Sequence, residues 1–272
     1  MAKPVIAGAV LYDPRVSVIW QIIAEFFERN GVPMDIVFYT NYEVQVDALI
    51  KGHIDIAWNS PLAWVDAQRR TGGRCRAIAM RDTDRDRDSC WVVRADGPIA
   101  TLAGLRGRTV AVGAKDSPQA TLIPLGLLRR HGLNPYGDVA VRRFDLLMGK
   151  HGDHIGGEQE AFQCLARGEA DACAMLDLNW DAWTKNGAID PQAYRVLART
   201  DTFDHCVFTV NQDFPPDVEN AWLKVLYSMS YDNPKHREMM DLEGLKAWLP
   251  GRTTGFGPLT EATEAFHFFD RP

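Results

Sequence analysis

Short continuous apolar runs alternate along this chain with stretches in which apolar residues recur every three or four positions. Residues 5–11 predict a strand, 16–29 an amphipathic helix stopped by Asn30-Gly31, and 35–39 a strand. A helix over 44–51 leads into a strand over 54–58, and 61–70 reads as helix before strands over 77–80 and 90–94. The pattern then restarts: strand 110–112, helix 118–131, strand 139–144, a glycine-rich loop, helix 158–166 and strand 170–176. "YRVLART" and "CVFTVNQ" read as strands returning to the first half, and a helical C-terminal third follows. Strands alternating with helices predict an α/β protein with parallel sheets.

In "DIAWNSPLAW" the apolar run stops at Asn59-Ser60-Pro61 and restarts with helical spacing. A side-chain oxygen followed by Pro is a helix start, because the oxygen accepts free N–H groups and Pro at the first position loses no hydrogen bond. A second such junction, Asp116-Ser117-Pro118, follows "TVAVG". Helix N-termini collect unpaired donors and the positive end of the dipole, so each junction suits an anion.

The segments "ALIKGHIDIAW" and "CLARGEADACAM" align Leu49 with Leu165, Lys51 with Arg167, Gly52 with Gly168 and Asp55 with Asp171 at one constant offset. Each copy reads as a helix, a basic C-terminal residue, a left-handed Gly cap and a strand opened by Asp. This predicts two lobes of one duplicated α/β design. The stretch 95–109 is the expected crossing point, with lobe 1 formed by 1–97 and 202–272 and lobe 2 by 98–201. Two such lobes imply an interlobe cleft, and ligands of open α/β sheets bind beyond strand C-termini.

Composition narrows the function. At 272 residues, 46% hydrophobic and 24% charged, the chain is an ordinary globular protein long enough for two cores. A net charge of −6 without a basic block argues against nucleic acid, and "RDTDRDRD", which alternates in sign, reads as a solvated loop. No apolar run is long enough for membrane insertion, and the N-terminus lacks the pattern of a signal peptide, so the expected location of the sequence as written is the cytoplasm. A chain trimmed at a cleavage site would be periplasmic instead. Five scattered cysteines without a CxxC predict buried thiols in a reducing compartment.

"ALIKGHIDIAWNSPLAW", "KDSPQATLIP" and "GKHGDHIGGEQEAFQCLARGEADACAMLD", in this order, resemble the phosphate/phosphonate-binding proteins of ABC transporters, over roughly residues 5–215. The resemblance implies the type II periplasmic-binding-protein fold. It also implies a monomer-like flytrap that closes on a small anion, such as a phosphonate, phosphate ester, sulfonate or carboxylate, and an ABC permease as partner. In the family the anionic head sits at the second-lobe helix N-terminus, which carries over to Ser117, Gln119 and Thr121. Pro118 and Gln119 replace the family's usual Ser, Thr and Gly there, which removes one N–H donor. The family's tyrosine after the first strand matches Tyr12, its histidine matches His151 or His154, and its acidic residue matches Asp177. Asn59 and Ser60 take the first-lobe helix position.

The same fold carries cytoplasmic enzymes that resemble menaquinone-pathway lyases and thiamine-pyrimidine synthases. The alternative is therefore a lyase or decarboxylase-type enzyme acting on a small organic acid, with Asp177 or a loop histidine as general base. His151, Asp153, His154 and Glu158 fall within eight residues, but their spacing does not make a metal site, and no metal or cofactor is expected. Asp177 reads equally as a cap for the segment from Asn179, and Tyr12 as a cover for its own lobe. The tryptophans read mainly as core. His205 and Cys206, adjacent on an expected strand, should point to opposite faces and so not activate one another.

Overall fold

The computed structural model describes residues 3–270. Its elements begin with β1 (Val5–Val10), α1 (Pro14–Arg29), β2 (Met34–Tyr39), α2 (Tyr42–Ile50), β3 (Ile56–Asn59), α3 (Pro61–Thr71) and β4 (Cys75–Arg81). Then come β5 (Ser89–Arg94), β6 (Thr109–Val112), a π-helical turn (Pro118–Leu122) running into α4 (Ile123–Arg130), β7 (Ala140–Arg143) and α5 (Gly156–Ala166). The remainder is β8 (Ala172–Leu176), α6 (Asp177–Lys185), β9 (Tyr194–Arg199), β10 (Val207–Asn211), α7 (Pro216–Tyr227), α8 (Pro234–Glu243), β11 (Trp248–Pro250) and α9 (Gly257–Ala265). No helix among the described residues is long and apolar enough to cross a membrane.

The chain divides into two compact units. Unit 1 runs to Arg85 and resumes over Asp204–Gly255, while unit 2 takes Asp86–Phe203 and the residues from Phe256 onward. Unit 1 holds a six-stranded sheet, β11-β4-β10-β3-β1-β2, and unit 2 a five-stranded sheet, β7-β6-β8-β5-β9. In unit 1, β1 runs parallel to β2 and β3, and β10 is antiparallel to β3 and β4. In unit 2, β6 runs parallel to β7 and β8, and β5 is antiparallel to β8 and β9. Five strands therefore correspond one to one in order and sense. Each unit's antiparallel insert, β10 or β5, is the first strand formed after the chain enters that unit.

This topology shifts the expected boundaries. The chain crosses at the charged 81–88 stretch rather than at 95–109, because Cys90, Trp91, Val92 and Val93 are a central strand with both faces covered. "YRVLAR" does not return to the first half. It forms β9, the edge of the second sheet. The last helix also joins unit 2, where α9 packs on α4 with Gly126 against Ala262 and Arg129 Nη1 donating to the Ala265 carbonyl at 2.8 Å. Nor is "RDTDRDRD" wholly a solvated loop, since Asp84 is buried beneath Arg81.

The sequence repeat has a structural counterpart. Gly52 and Gly168 both cap their helices with left-handed backbones, at φ +69° and +75°. Asp55 and Asp171 sit one residue ahead of β3 and β8. Asp55 Oδ2 accepts the Ile6 N–H at 2.8 Å, and Asp171 Oδ2 accepts the Thr109 N–H at 2.9 Å. Each carboxylate thus clips its strand to the parallel neighbour, β1 or β6, beyond the regular ladder. Separate apolar cores fill the two units. Trp20, Phe27, Phe208 and Trp222 anchor the first, and Trp91, Leu128, Cys173 and Phe162 the second.

Candidate functional site

In unit 2, β6 ends at Val112 and the chain turns through Asp116 and Ser117 into the helix. Ser117 is an extended N-cap whose Oγ accepts the Ala120 N–H at 3.1 Å, with Pro118 in the first turn. The helix does not start as a regular α-helix, as the spacing predicts. Leu122 N–H bonds back to the Ser117 carbonyl at 3.0 Å, five residues earlier, so the first turn is a π-turn. Such widened turns concentrate at functional sites. This one turns its side chains inward: Gln119 and Thr121 are each only 2% exposed.

Their polar atoms are only partly satisfied. Gln119 Nε2 donates to the Gly152 carbonyl at 2.9 Å, while Gln119 Oε1, Thr121 Oγ1 and Asp116 Oδ1 are buried without a hydrogen-bond partner. Buried polar atoms without partners are costly, so three at one helix N-terminus make this turn the candidate site of unit 2. Ser89 Oγ, from the central strand, donates to the Gln119 carbonyl at 2.6 Å and fixes the turn from below.

The glycine-rich loop lies across this turn. Leu147, Gly149, His151 and Gly152 all have left-handed backbones, at φ +51°, +84°, +51° and +79°. Leu147 and His151 do so at a steric cost. Gly149 N–H donates to Asp116 Oδ2 at 2.6 Å. A Cβ on Gly152 would lie 2.3 Å from Ser117 Oγ, so only glycine permits this approach. His151 is buried beside it.

The other sequence candidates of unit 2 separate. His154 Nδ1 accepts the Gly156 N–H at 3.1 Å and so serves the start of α5. Glu158 Oε2 accepts from Leu176 N–H and Asn179 Nδ2, at 2.9 and 2.8 Å, and ties β8 to α6. Asp177 is not a cap for a later helix, because α6 begins at Asp177 itself. Its Oδ2 pairs with Arg87 at 3.3 Å, and its buried Oδ1 has no partner. Burial pushes the Asp177 carboxyl up against the opposing pull of Arg87.

Unit 1 carries the matching junction. Ser60 caps α3, its Oγ accepting the Ala63 N–H at 3.2 Å with Pro61 following. Asn59 is fully buried. Its Oδ1 accepts from Gln45 Nε2 at 2.9 Å, while its Nδ2 donor has no partner. Gln45, which also donates to the Trp58 carbonyl at 2.8 Å, was not a sequence candidate. Its signal is a polar residue on the buried stripe of α2, between Tyr42 and Leu49. Tyr12 is half-buried against the unit 1 core just after β1. Trp58, Trp64 and Trp183 are core residues, as read from the sequence, and Trp180 is half-buried.

The expectation for His205 and Cys206 is overturned. They precede β10 rather than lie in it, so alternation does not apply, and His205 Nδ1 approaches Cys206 Sγ at 3.1 Å. Asp84 Oδ1 is 3.6 Å from the same nitrogen and accepts the Cys206 N–H at 3.2 Å. Arg81 already holds Asp84 through two bonds of 2.6 and 2.7 Å, so a cation occupies this carboxylate. All five cysteines are buried thiols.

A sequence model of the family described as ABC transporter, phosphonate, periplasmic substrate-binding protein matches residues 12–255. The chain belongs to this family. PhnD1 from Prochlorococcus marinus, solved in complex with methylphosphonate, is similar with a TM-score of 0.73 and 17% identity, covering 97% of this chain and 98% of that one. A Xanthomonas citri protein bound to ATP gives a TM-score of 0.74 and 18% identity, over 98% and 99% of the two chains. The aliphatic sulphonate-binding protein SsuA of Escherichia coli gives 0.61 and 16%, over 100% and 94%. These likenesses show the fold, that of type II periplasmic binding proteins. Among curated proteins, an uncharacterized protein of Haemophilus influenzae is 51% identical over 43 residues, 16% of this chain and 61% of that protein's length.

Proposed function

We propose that this chain is a solute-binding protein that holds the oxyanion head of a small phosphonate, phosphate ester or sulfonate at the N-terminus of the helix beginning at Pro118. The observation that carries this reading is the buried π-turn, where the Thr121 hydroxyl, buried without a partner, can donate to an oxyanion beside the first N–H groups of a helix. Ser117, His151 and the Gly152 loop complete the cradle, and Asp177 offers an acceptor to a hydroxyl or ammonium on the ligand. Asn59, with its unpartnered Nδ2, Ser60 and Tyr12 form the candidate set of unit 1.

Charge-assisted hydrogen bonds are worth roughly 1.5–3 kcal/mol each, so a handful gives micromolar affinity. Family membership favours binding over the enzyme alternative, and Asp177, one of the two general bases proposed for that alternative, is already engaged by Arg87. The partner that fits is an ABC permease, and the compartment is the periplasm. Release by osmotic shock would support this placement. Retention with the cytosol would make the protein a cytoplasmic sensor, a role that five buried thiols suit.

The direct test is a thermal-shift screen against phosphate, methylphosphonate, alkanesulfonates and small carboxylates, with Ser117→Ala, Gln119→Ala and Asn59→Ala alongside. A ligand that raises Tm, does so less in the variants and is recovered unchanged by mass analysis supports the proposal. Consumption of the ligand would establish the enzyme instead.

A further inference from the structure

Unit 2 contains a cavity of about 410 Å³ lined by residues of the Thr121–Leu125 segment, the turn at Asn134–Tyr136 and the C-terminal segment after α9. Ser117, Gln119, His151 and Gly152 do not line it, and Thr121 is the one residue it shares with the cradle above. Its size is within the range of small-molecule sites.

The lining is unusual for a chain with a net charge of −6. Among the described residues lining the cavity, Lys115, Arg129 and Arg143 are cations and none is a carboxylate. Three like charges around one concave site raise the local potential for an anion, with Arg143 partly offset by Asp145 at 3.5 Å. The remaining wall is largely apolar and includes Phe266. Thr121, with its buried and unpartnered Oγ1, also lines this cavity.

Tyr136 supplies the most specific feature. It is 60% exposed and has a left-handed backbone, φ +71°, which an aromatic residue adopts only at a steric cost. Neither burial nor turn chemistry accounts for a ring there, since Asn or Gly would serve the turn better. An exposed aromatic face beside a cationic pocket suits a planar ring with a charged phosphate, as stacking and charge pairing then act on the two ends of one ligand.

We propose that this cavity is a second binding site for a phosphorylated planar aromatic compound of nucleoside-monophosphate size, with Tyr136 stacking on the ring and Arg143, Arg129 and Lys115 receiving the phosphate. The probe is AMP, titrated calorimetrically into the full chain, with adenosine and inorganic phosphate as the separated halves. AMP binds at least about tenfold more tightly than either half, and saturating methylphosphonate does not displace it. Tyr136→Asn, which tolerates the left-handed backbone, retains Tm but weakens AMP about fivefold or more. Arg143→Gln weakens AMP and flattens its salt dependence. Neither variant changes methylphosphonate affinity. Absence of AMP binding at millimolar concentration, equal affinity in both variants, or one-for-one displacement by methylphosphonate would overturn the proposal.

Discussion

Replacing Asp84 tests how the charged crossing stretch is held. Asp84 is 2% exposed, yet it receives Arg81 through two bonds, the Cys206 N–H, and through its carbonyl the His205 N–H at 2.7 Å. It therefore joins the last residues of unit 1 before the chain leaves to the first ones after it returns. Burial alone would push the Asp84 carboxyl up, but Arg81, assisted by His205, brings it from 3.8 down to about 2. At about 1.4 kcal/mol per pH unit, this depression amounts to about 2 kcal/mol of folding stability. The folded value lies below the unfolded one, so the contribution is complete above about pH 4 and is lost as pH falls through 2. Asp84→Asn also leaves the buried Arg81 guanidinium with only the longer ion pair to Glu243, at 3.4 Å, a change that costs roughly 3 kcal/mol at neutral pH. Urea unfolding at pH 7 and at pH 2.5 measures both effects. The wild type should lose about 1.5 kcal/mol more than the variant on acidification, because part of the contribution remains at pH 2.5. Equal acid sensitivity, or a loss below about 1 kcal/mol at pH 7, would refute the reasoning.

Four further outcomes are expected. Asp55→Ala and Asp171→Ala each remove a charged acceptor from a strand N–H and lower stability by roughly 1–3 kcal/mol in urea unfolding, and an effect at only one site would break the equivalence of the two units. Gln45→Leu leaves the Trp58 carbonyl and Asn59 Oδ1 without their donor, lowering stability by roughly 1–3 kcal/mol in the same assay. Gly152→Ala forces the loop off Ser117 and weakens methylphosphonate binding about tenfold or more by calorimetry, so unchanged affinity would remove the loop from the cradle. Burial pushes the Cys90 and Cys173 thiols far above their ordinary range, and both should react with a disulfide reagent only as unit 2 unfolds.

The parts of the fold that follow local rules were legible in the chain. Ser60-Pro61 and Ser117-Pro118 announce two capped helices, and Gly52 and Gly168 with Asp55 and Asp171 announce a duplicated turn, because these signals depend on residues a few positions apart. The features that local signals do not carry are long-range. The glycine at 97 and proline at 98 resemble a linker, yet β5 already belongs to the second sheet, because "CWVV" needs cover on both faces. Nothing local shows that Asp84 meets the N–H groups of His205 and Cys206, or that β10 starts only at Val207, which lets His205 meet Cys206. At the site, Ser117, Gln119, Thr121 and His151 converge on one turn and its covering loop, whereas His154 is used by α5 and Gln45 went unnoticed. Spacing can nominate polar residues, but only packing shows which of their atoms lack a partner.

The central claim is that the helix beginning at Pro118 holds the anion, and the most direct measurement is the amide shift of Gln119, Ala120 and Thr121 during titration of 15N-labelled protein with methylphosphonate. Large saturable shifts at these three amides, following one binding curve and lost in Ser117→Ala, are the predicted result. Tight binding that leaves these amides unmoved, or no response to any phosphonate, phosphate or sulfonate, would contradict the account.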